Sequence, residues 1–372
     1  MQKDETCRKN GRMREIKKMD KRKALKWLCI AIAAELFLVA LFTWIFDPFY
    51  QYHQPFFGME EVLYDRDNQV IGTIRNNDYD SVLLGSSVAE NFDNTFLNEQ
   101  FDCHTVKIIR ASGSVADLLY YMDKAHEKQK LQRVFWCMDI FALTASTEVT
   151  LEGGDTPRYL HTETMLDDVT YLFNKDILFV KIPQMFAYGY LGENTGGNAY
   201  NWARGKEFSA SKAMQAYVKP GEVVSAEEDP QAAERLAQNI ALVEKEIENH
   251  PDTEYTILFP PYSMLWWDCG YSNGIAGQYF EVLEQTVPRL LSHENVEVYF
   301  FQSDREIVCN LDNYMDMIHY SPEINQYMLD ALVQGTHKVT KDNWQEVLSG
   351  MRETYEYIIS EGIYRYYPQN AE

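Results

Sequence analysis

The chain has 372 residues, 46% of them hydrophobic, which is more than one small core needs and fits one large α/β domain with additions. Its formal net charge of −22 argues against a nucleic-acid partner and against a polyanionic substrate. There is no Cys-x-x-Cys, no His cluster with ligand spacing and no phosphate-binding glycine loop, so neither a metal nor a cofactor is expected.

Residues 1–26 form a basic tail with eleven Lys/Arg against four Asp/Glu, a local charge of +7 that leaves −29 on the remainder. Trp27–Phe46 follows as an apolar run matching the ~20 residues that cross a bilayer. Glu35 inside it costs roughly 2.5–3.5 kcal/mol if central and charged, an expense met by its apolar neighbours, protonation or a second membrane protein. No small-residue cleavage pattern follows, so the run reads as an uncleaved single-pass anchor of the cell membrane. The positive flank keeps the N-terminus cytoplasmic and places the main domain outside. Cys103, Cys137, Cys269 and Cys309 are then extracytoplasmic, and spacing alone cannot choose among their pairings.

Residues 47–59, with Pro48, Pro55 and several aromatics, read as a membrane-proximal stalk, and His53 there as an interfacial residue. From residue 60 to 341, strand-like runs alternate with helix-like ones. The strands are expected at Val82–Leu84, Thr105–Ile109, Val134–Asp139, Tyr255–Phe259 and Val296–Phe301. The helices are expected at Val88–Phe101, Ala116–Gln129, Gln231–Asn249 and Gln278–Ser292. Such alternation predicts a three-layer α/β fold, about five parallel strands with helices on both faces. Residues 142–229 break the rhythm. They are rich in aromatics, including Tyr171, Phe186, Tyr188, Tyr190, Tyr200 and Trp202, and read as a cap inserted over the site. A helical tail, 342–372, is expected to pack on the flank.

Ligands of parallel sheets bind beyond the carboxyl ends of the strands. Ser87, Gly113 and Asp139 fall at or just after such ends. The run Asp80–Asn91 (DSVLLGSSVAEN) takes a strand into a Gly-Ser-Ser turn, which presents a hydroxyl beside free backbone N–H groups and suits a serine nucleophile. The same tripeptide also serves as a plain helix cap. The partner pair is Asp316-Met-Ile-His319, a base and an orienting carboxylate on a loop before Tyr320-Ser321-Pro322. A second pair of equal spacing, Asp123 and His126, sits in MDKAHEKQK and reads as a solvated helix end. Phe259-Pro-Pro-Tyr-Ser263 reads as a pocket wall or a simple turn.

These residues together resemble the SGNH/GDSL hydrolase superfamily over roughly Asp80 to Met328. The likeness in style is to membrane-anchored bacterial members such as alginate-type O-acetylation and D-alanyl teichoic acid transfer proteins. The resemblance implies a flavodoxin-like sheet, Ser87 as nucleophile, His319 as general base and Asp316 as its orienting partner. It also implies Ser87 and Gly113 as oxyanion donors. Where the superfamily usually has a further donor Asn, this chain has Asp139, and an ionised carboxylate cannot donate. The resemblance therefore implies an esterase or O-acyltransferase acting on a cell-envelope glycan or small ester, beside a membrane-bound acyl-exporting partner and membrane lipid. The competing expectation is a catalytically silent anchored glycan-binding or assembly protein with the same fold.

Overall fold

The short apolar runs do become strands, and because both faces of each are covered they carry almost no alternation. The computed structural model describes residues 2–150, 157–162, 164–218 and 231–367, with side chains from Lys21 onward. Most of the basic tail's side chains, the end of the expected insertion (219–229) and the last five residues lie outside this.

In chain order the elements are α1 (Gln2–Phe46), α2 (Arg66–Asn76), β1 (Ser81–Gly85), α3 (Asn94–Phe101), β2 (Thr105–Ile109), α4 (Val115–Lys128) and β3 (Arg133–Cys137). The insertion carries α5 (Met165–Leu172), α6 (Ile182–Leu191) and α7 (Ala210–Gln215). Then come α8 (Ala232–Asn249), β4 (Glu254–Phe259), α9 (Met264–Ser272), α10 (Ala276–Leu290), β5 (Val296–Phe300), α11 (Arg305–Val308), α12 (Pro322–Gln334), β6 (Lys338–Val339) and α13 (Trp344–Tyr357). The six strands form one sheet in the order β2-β1-β3-β4-β5-β6. Strands β1 to β5 are parallel, with Ser81 opposite both Thr105 and Arg133, and β6 is antiparallel to β5. The chain passes from β1 outward to β2 and then crosses back over β1 to β3, so the carboxyl ends of β1 and β3 are the switch point where a crevice opens.

Three differences from the sequence reading have physical causes. The helix expected over Val88–Phe101 is two pieces: a 3-10 turn at Ser87–Ala89, then α3. Asp93 restarts the helix by accepting the N–H groups of Thr95 (2.8 Å) and Phe96 (3.2 Å), a local bond that competes with continuation. The sixth strand has two residues, too few to show any period. Helix α2 escaped notice because two of its buried positions are polar, Gln69 and Thr73. Gln69 is satisfied fully: its carbonyl accepts from Tyr64 N (2.9 Å) and Asp65 N (2.8 Å), and its amide donates to Pro48 O (2.8 Å) and Val62 O (2.9 Å).

Of the stretch 47–59 expected to be a stalk, residues 47–50 are buried against the domain, while 51–59 are half-buried or exposed. Asp47, Phe49 and Tyr50 are buried, and the Asp47 carboxylate accepts from Tyr171 Oη (2.6 Å) and Tyr52 N (2.7 Å). A Cβ on Gly72 of α2 would lie 2.0 Å from Phe49 O, so only glycine lets the helix approach this strap of chain. His53 stacks on Phe56 with ring centroids 3.7 Å apart.

Residues Lys21–Phe46 of α1 are long and apolar enough to cross a membrane. The last turn of α1 is clasped by the insertion: Thr43 Oγ1 donates to Leu172 O (3.0 Å), and the Phe46 and Phe186 rings meet edge to face at 5.0 Å. The C-terminal helix α13 packs on the flank against α10, burying Leu348 and Met351. Cys103 and Cys137 are buried, Cys269 and Cys309 half-buried, and all four are free thiols.

Candidate active site

Strand β1 ends at Gly85 because the chain must turn sharply there. An added Cβ would sit 2.7 Å from Ala89 Cβ and 3.2 Å from Cys137 Cβ, so the turn closes only over a hydrogen. Gly85→Ala is expected to cost about 1–3 kcal/mol through overpacking. A urea midpoint identical to the parent chain's would refute that account of the turn.

Of the two serines that follow, Ser86 is 1% exposed and its hydroxyl makes no well-formed hydrogen bond, whereas Ser87 is reachable from solvent. Ser87 Oγ lies 2.9 Å from His319 Nε2, and His319 Nδ1 lies 2.7 Å from Asp316 Oδ2. Side chains 232 positions apart thus form one continuous hydrogen-bonded chain.

The Asp316–His319 spacing works through a turn. Asp316 Oδ1 accepts the N–H groups of Ile318 (2.9 Å) and His319 (2.8 Å), which leaves Oδ2 for the imidazole. Burial works to raise the pKa of Asp316, but the His319 hydrogen bond and charge and the two backbone bonds outweigh it and hold the carboxyl below its usual range. The loop is pinched at its base by a Tyr314–Tyr320 bridge. It is also fastened to the segment after β4: Ser263 N and Oγ both donate to Met317 O (3.0 and 2.8 Å), and Tyr314 Oη donates to Pro261 O (2.9 Å). Phe259–Ser263 is therefore the buttress of the histidine loop.

Asp139 comes to the same place from the end of β3. It is 2% exposed, and burial pushes its pKa up to about 6 against the lowering effects of Ser86, Tyr262 and the charge of His319. Tyr262 Oη donates to its Oδ1, so the carboxylate anchors the buttress as well as facing the site. A raised folded-state pKa gives stability that is full below the ordinary carboxylate range and is lost as pH rises through about 6. Asp139→Asn should consequently gain stability at pH 8, on the order of 2–3 kcal/mol, and little at pH 4. Thermal denaturation at the two pH values measures this, and an equal gain at both would remove the charge-burial explanation. The Gly113 N–H, expected to face an oxyanion, donates to Arg110 O (3.0 Å) within its own turn. Ser87 opens its turn, so its N–H has no acceptor within that turn.

Two contributors were not foreseen. Trp202, from the insertion, donates its indole N–H to Ser87 O (2.8 Å) and sets its ring edge-on to His319, centroids 5.1 Å apart at 78°. Among many aromatics in that segment, nothing in the sequence singled it out. Trp202→Phe keeps the ring and loses the N–H; turnover is expected to fall about 3- to 10-fold, the worth of one hydrogen bond. Unchanged kcat/KM on a small ester would relieve Trp202 of this role. Lys107 is the other. It stands in the apolar strand TVKII, buried, and donates to Glu90 O and Ala199 O (2.8 Å each). It thus ties the Ser87 turn to the Trp202 segment. Burial draws its pKa down to about 7 despite nearby Asp93 and Glu90. A lysine inside a fully apolar strand was the available signal. Tyr320 Oη, just before α12, and Asn325 Nδ2 on it both donate to Val88 O (3.1 Å each) and hold the turn from the other side.

Among the described residues, His126, Glu246 and His250 come nearest to a metal-ligand set, their ligating atoms lying within 4.8 Å of one another. The group sits by the starts of β3 and β4, at the opposite sheet edge from Ser87. The two imidazoles stack face to face at 3.4 Å and 3°, so their in-plane lone pairs cannot meet at one ion unless the rings part. His126 is thus no solvated residue: its Nε2 pairs with Glu246 Oε1 at 2.9 Å, and only Asp123 of that pair is exposed.

No family model matches this chain, and no curated protein matches it. Its chemistry has to be read from the geometry above.

Proposed function

We propose that this chain is an extracytoplasmic serine esterase or O-acyltransferase of the SGNH type, held in the cell membrane and moving an acyl group on a cell-envelope glycan. The single observation that carries this reading is the Ser87–His319–Asp316 hydrogen-bonded chain at the switch point of the sheet. With Nδ1–H bonded to the Asp316 carboxylate, His319 Nε2 is left to accept the Ser87 proton. Oγ then bonds to the acyl carbonyl carbon, and the tetrahedral oxyanion faces the Ser87 N–H. Collapse breaks the ester C–O bond, and the alcohol leaves with the proton from His319. Water or a sugar hydroxyl next gives its proton to His319 and takes the acyl group from Ser87.

The glycan substrate and an acyl-exporting membrane partner rest on the resemblance of the Gly-Ser-Ser and Asp-x-x-His motifs. The positive flank of α1 supports an outward-facing domain. Asp139 and the committed Gly113 amide favour the competing reading, a silent glycan-binding protein, because both weaken an oxyanion hole. Incubation with p-nitrophenyl acetate separates the two. The enzyme gains the mass of one acetyl group on the peptide that contains Ser87 and releases nitrophenol in a burst; a silent protein does neither.

A further inference from the structure

The surface around the insertion is apolar where a water-facing domain would be polar. Leu166 is 83% exposed, Phe179 77%, Tyr190 91% and Leu191 59%, all on α5, α6 or the turn between them. The apolar helical run Ile177–Leu191 is shorter than the ~20 residues a bilayer crossing needs. Its one lysine, Lys181, is turned back onto Asp65 of the domain (2.6 Å), and the exposed charges nearest to it, Lys175 and Asp176, lie in the turn before the run and not on it. Contiguous exposed apolar surface of this kind marks an interaction site.

Its position says with what. The face is continuous with the end of α1, through Thr43–Leu172 and Phe46–Phe186. Between them lies a mainly apolar groove of about 410 Å³ lined by Phe46, Met59, Val62, Met185 and Phe186, with the exposed Glu60 as its one charged lining residue. Wherever α1 leaves the hydrocarbon, these side chains sit at the same level. Tyr190 also lines the groove, and Trp44 stands two residues before Phe46 on α1; both are residue types that collect at headgroup depth. Residues 27–372 carry −29 and gain nothing from an anionic leaflet, so attachment here is through apolar contact.

We propose that α5, α6 and the turn between them embed in the extracytoplasmic leaflet, with the groove beside Phe46 taking a lipid acyl chain. This rests on α1 spanning the bilayer and is independent of any activity at Ser87.

The full chain is reconstituted in nanodiscs of phosphatidylethanolamine and phosphatidylglycerol. A photoreactive benzoylphenylalanine replaces, one at a time, Phe179, Tyr190, Phe186, Val333 on α12 as a water-facing control, and Leu36 in α1. Mass spectrometry after irradiation is expected to show about ten-fold more lipid adduct at 179, 186 and 190 than at 333, unchanged in high salt. Lipid at 36 but at none of the three overturns the proposal while sparing the span. Cross-links from 179 or 190 to a second copy of the chain overturn it in favour of self-association. No lipid adduct even at 36 removes its premise.

Discussion

Ser87→Ala abolishes fluorophosphonate labelling and lowers ester turnover by about 10⁴-fold or more, whereas Ser86→Ala keeps both within a few-fold. The contrast follows from two adjacent hydroxyls in different surroundings. Ser87 Oγ is accessible and 2.9 Å from His319 Nε2; Ser86 is 1% exposed and its hydroxyl bears on Asp139, not on His319. Removing Ser86 deletes one lowering influence on Asp139, so its carboxyl titrates at higher pH, an effect on the pH profile and not on the nucleophile. Labelling that survives in Ser87→Ala would shift the nucleophile elsewhere and end the triad reading.

Asp316→Asn is expected to lower kcat/KM by about 10⁴-fold with the fold intact, because it leaves the imidazole in the wrong tautomer. The usual escape is a flipped amide, and the loop forbids it. Oδ1 is fixed by the N–H groups of Ile318 and His319, so the NH2 group of asparagine must face His319 Nδ1. Two donors cannot pair, the ring proton moves to Nε2, and the base has nothing with which to accept from Ser87. Asp316→Ala is a poorer test, since it also dismantles the turn. The same carboxylate gives an acid signature: with its pKa depressed, its stabilisation is present above the usual carboxylate range and disappears as pH falls through the depressed value. Activity within about ten-fold of the parent would show that Asp316 does not set the tautomer.

What could be read from the chain divides along physical lines. Thr105–Ile109 and the other four parallel strands were legible because burial on both faces demands unbroken apolar runs. That Ser87, Asp316 and His319 meet was legible because a hydroxyl after one strand and an Asp-x-x-His loop after the last parallel one lie at the same sheet edge. Gln69 and Lys107 were not, because such polar residues are buried where carbonyls from other parts of the chain, Pro48 O and Ala199 O, meet them. Asp47–Tyr50 misled for the related reason that aromatic, Pro-bracketed sequence looks alike in a headgroup layer and in a core. Trp202 illustrates a further limit: which aromatic in an irregular segment reaches the base is decided by the path of the whole insertion.

The strap from Asp47 to Tyr50 also bears on how readily a protease could separate the domain from α1. Sheddases and stalk-clipping proteases need several residues of extended, accessible backbone between anchor and ectodomain. Here the chain passes from Phe46 directly into a buried carboxylate and two buried rings, under Gly72. With α1 in a membrane, cleavage between Phe46 and Tyr50 would require the domain to open first.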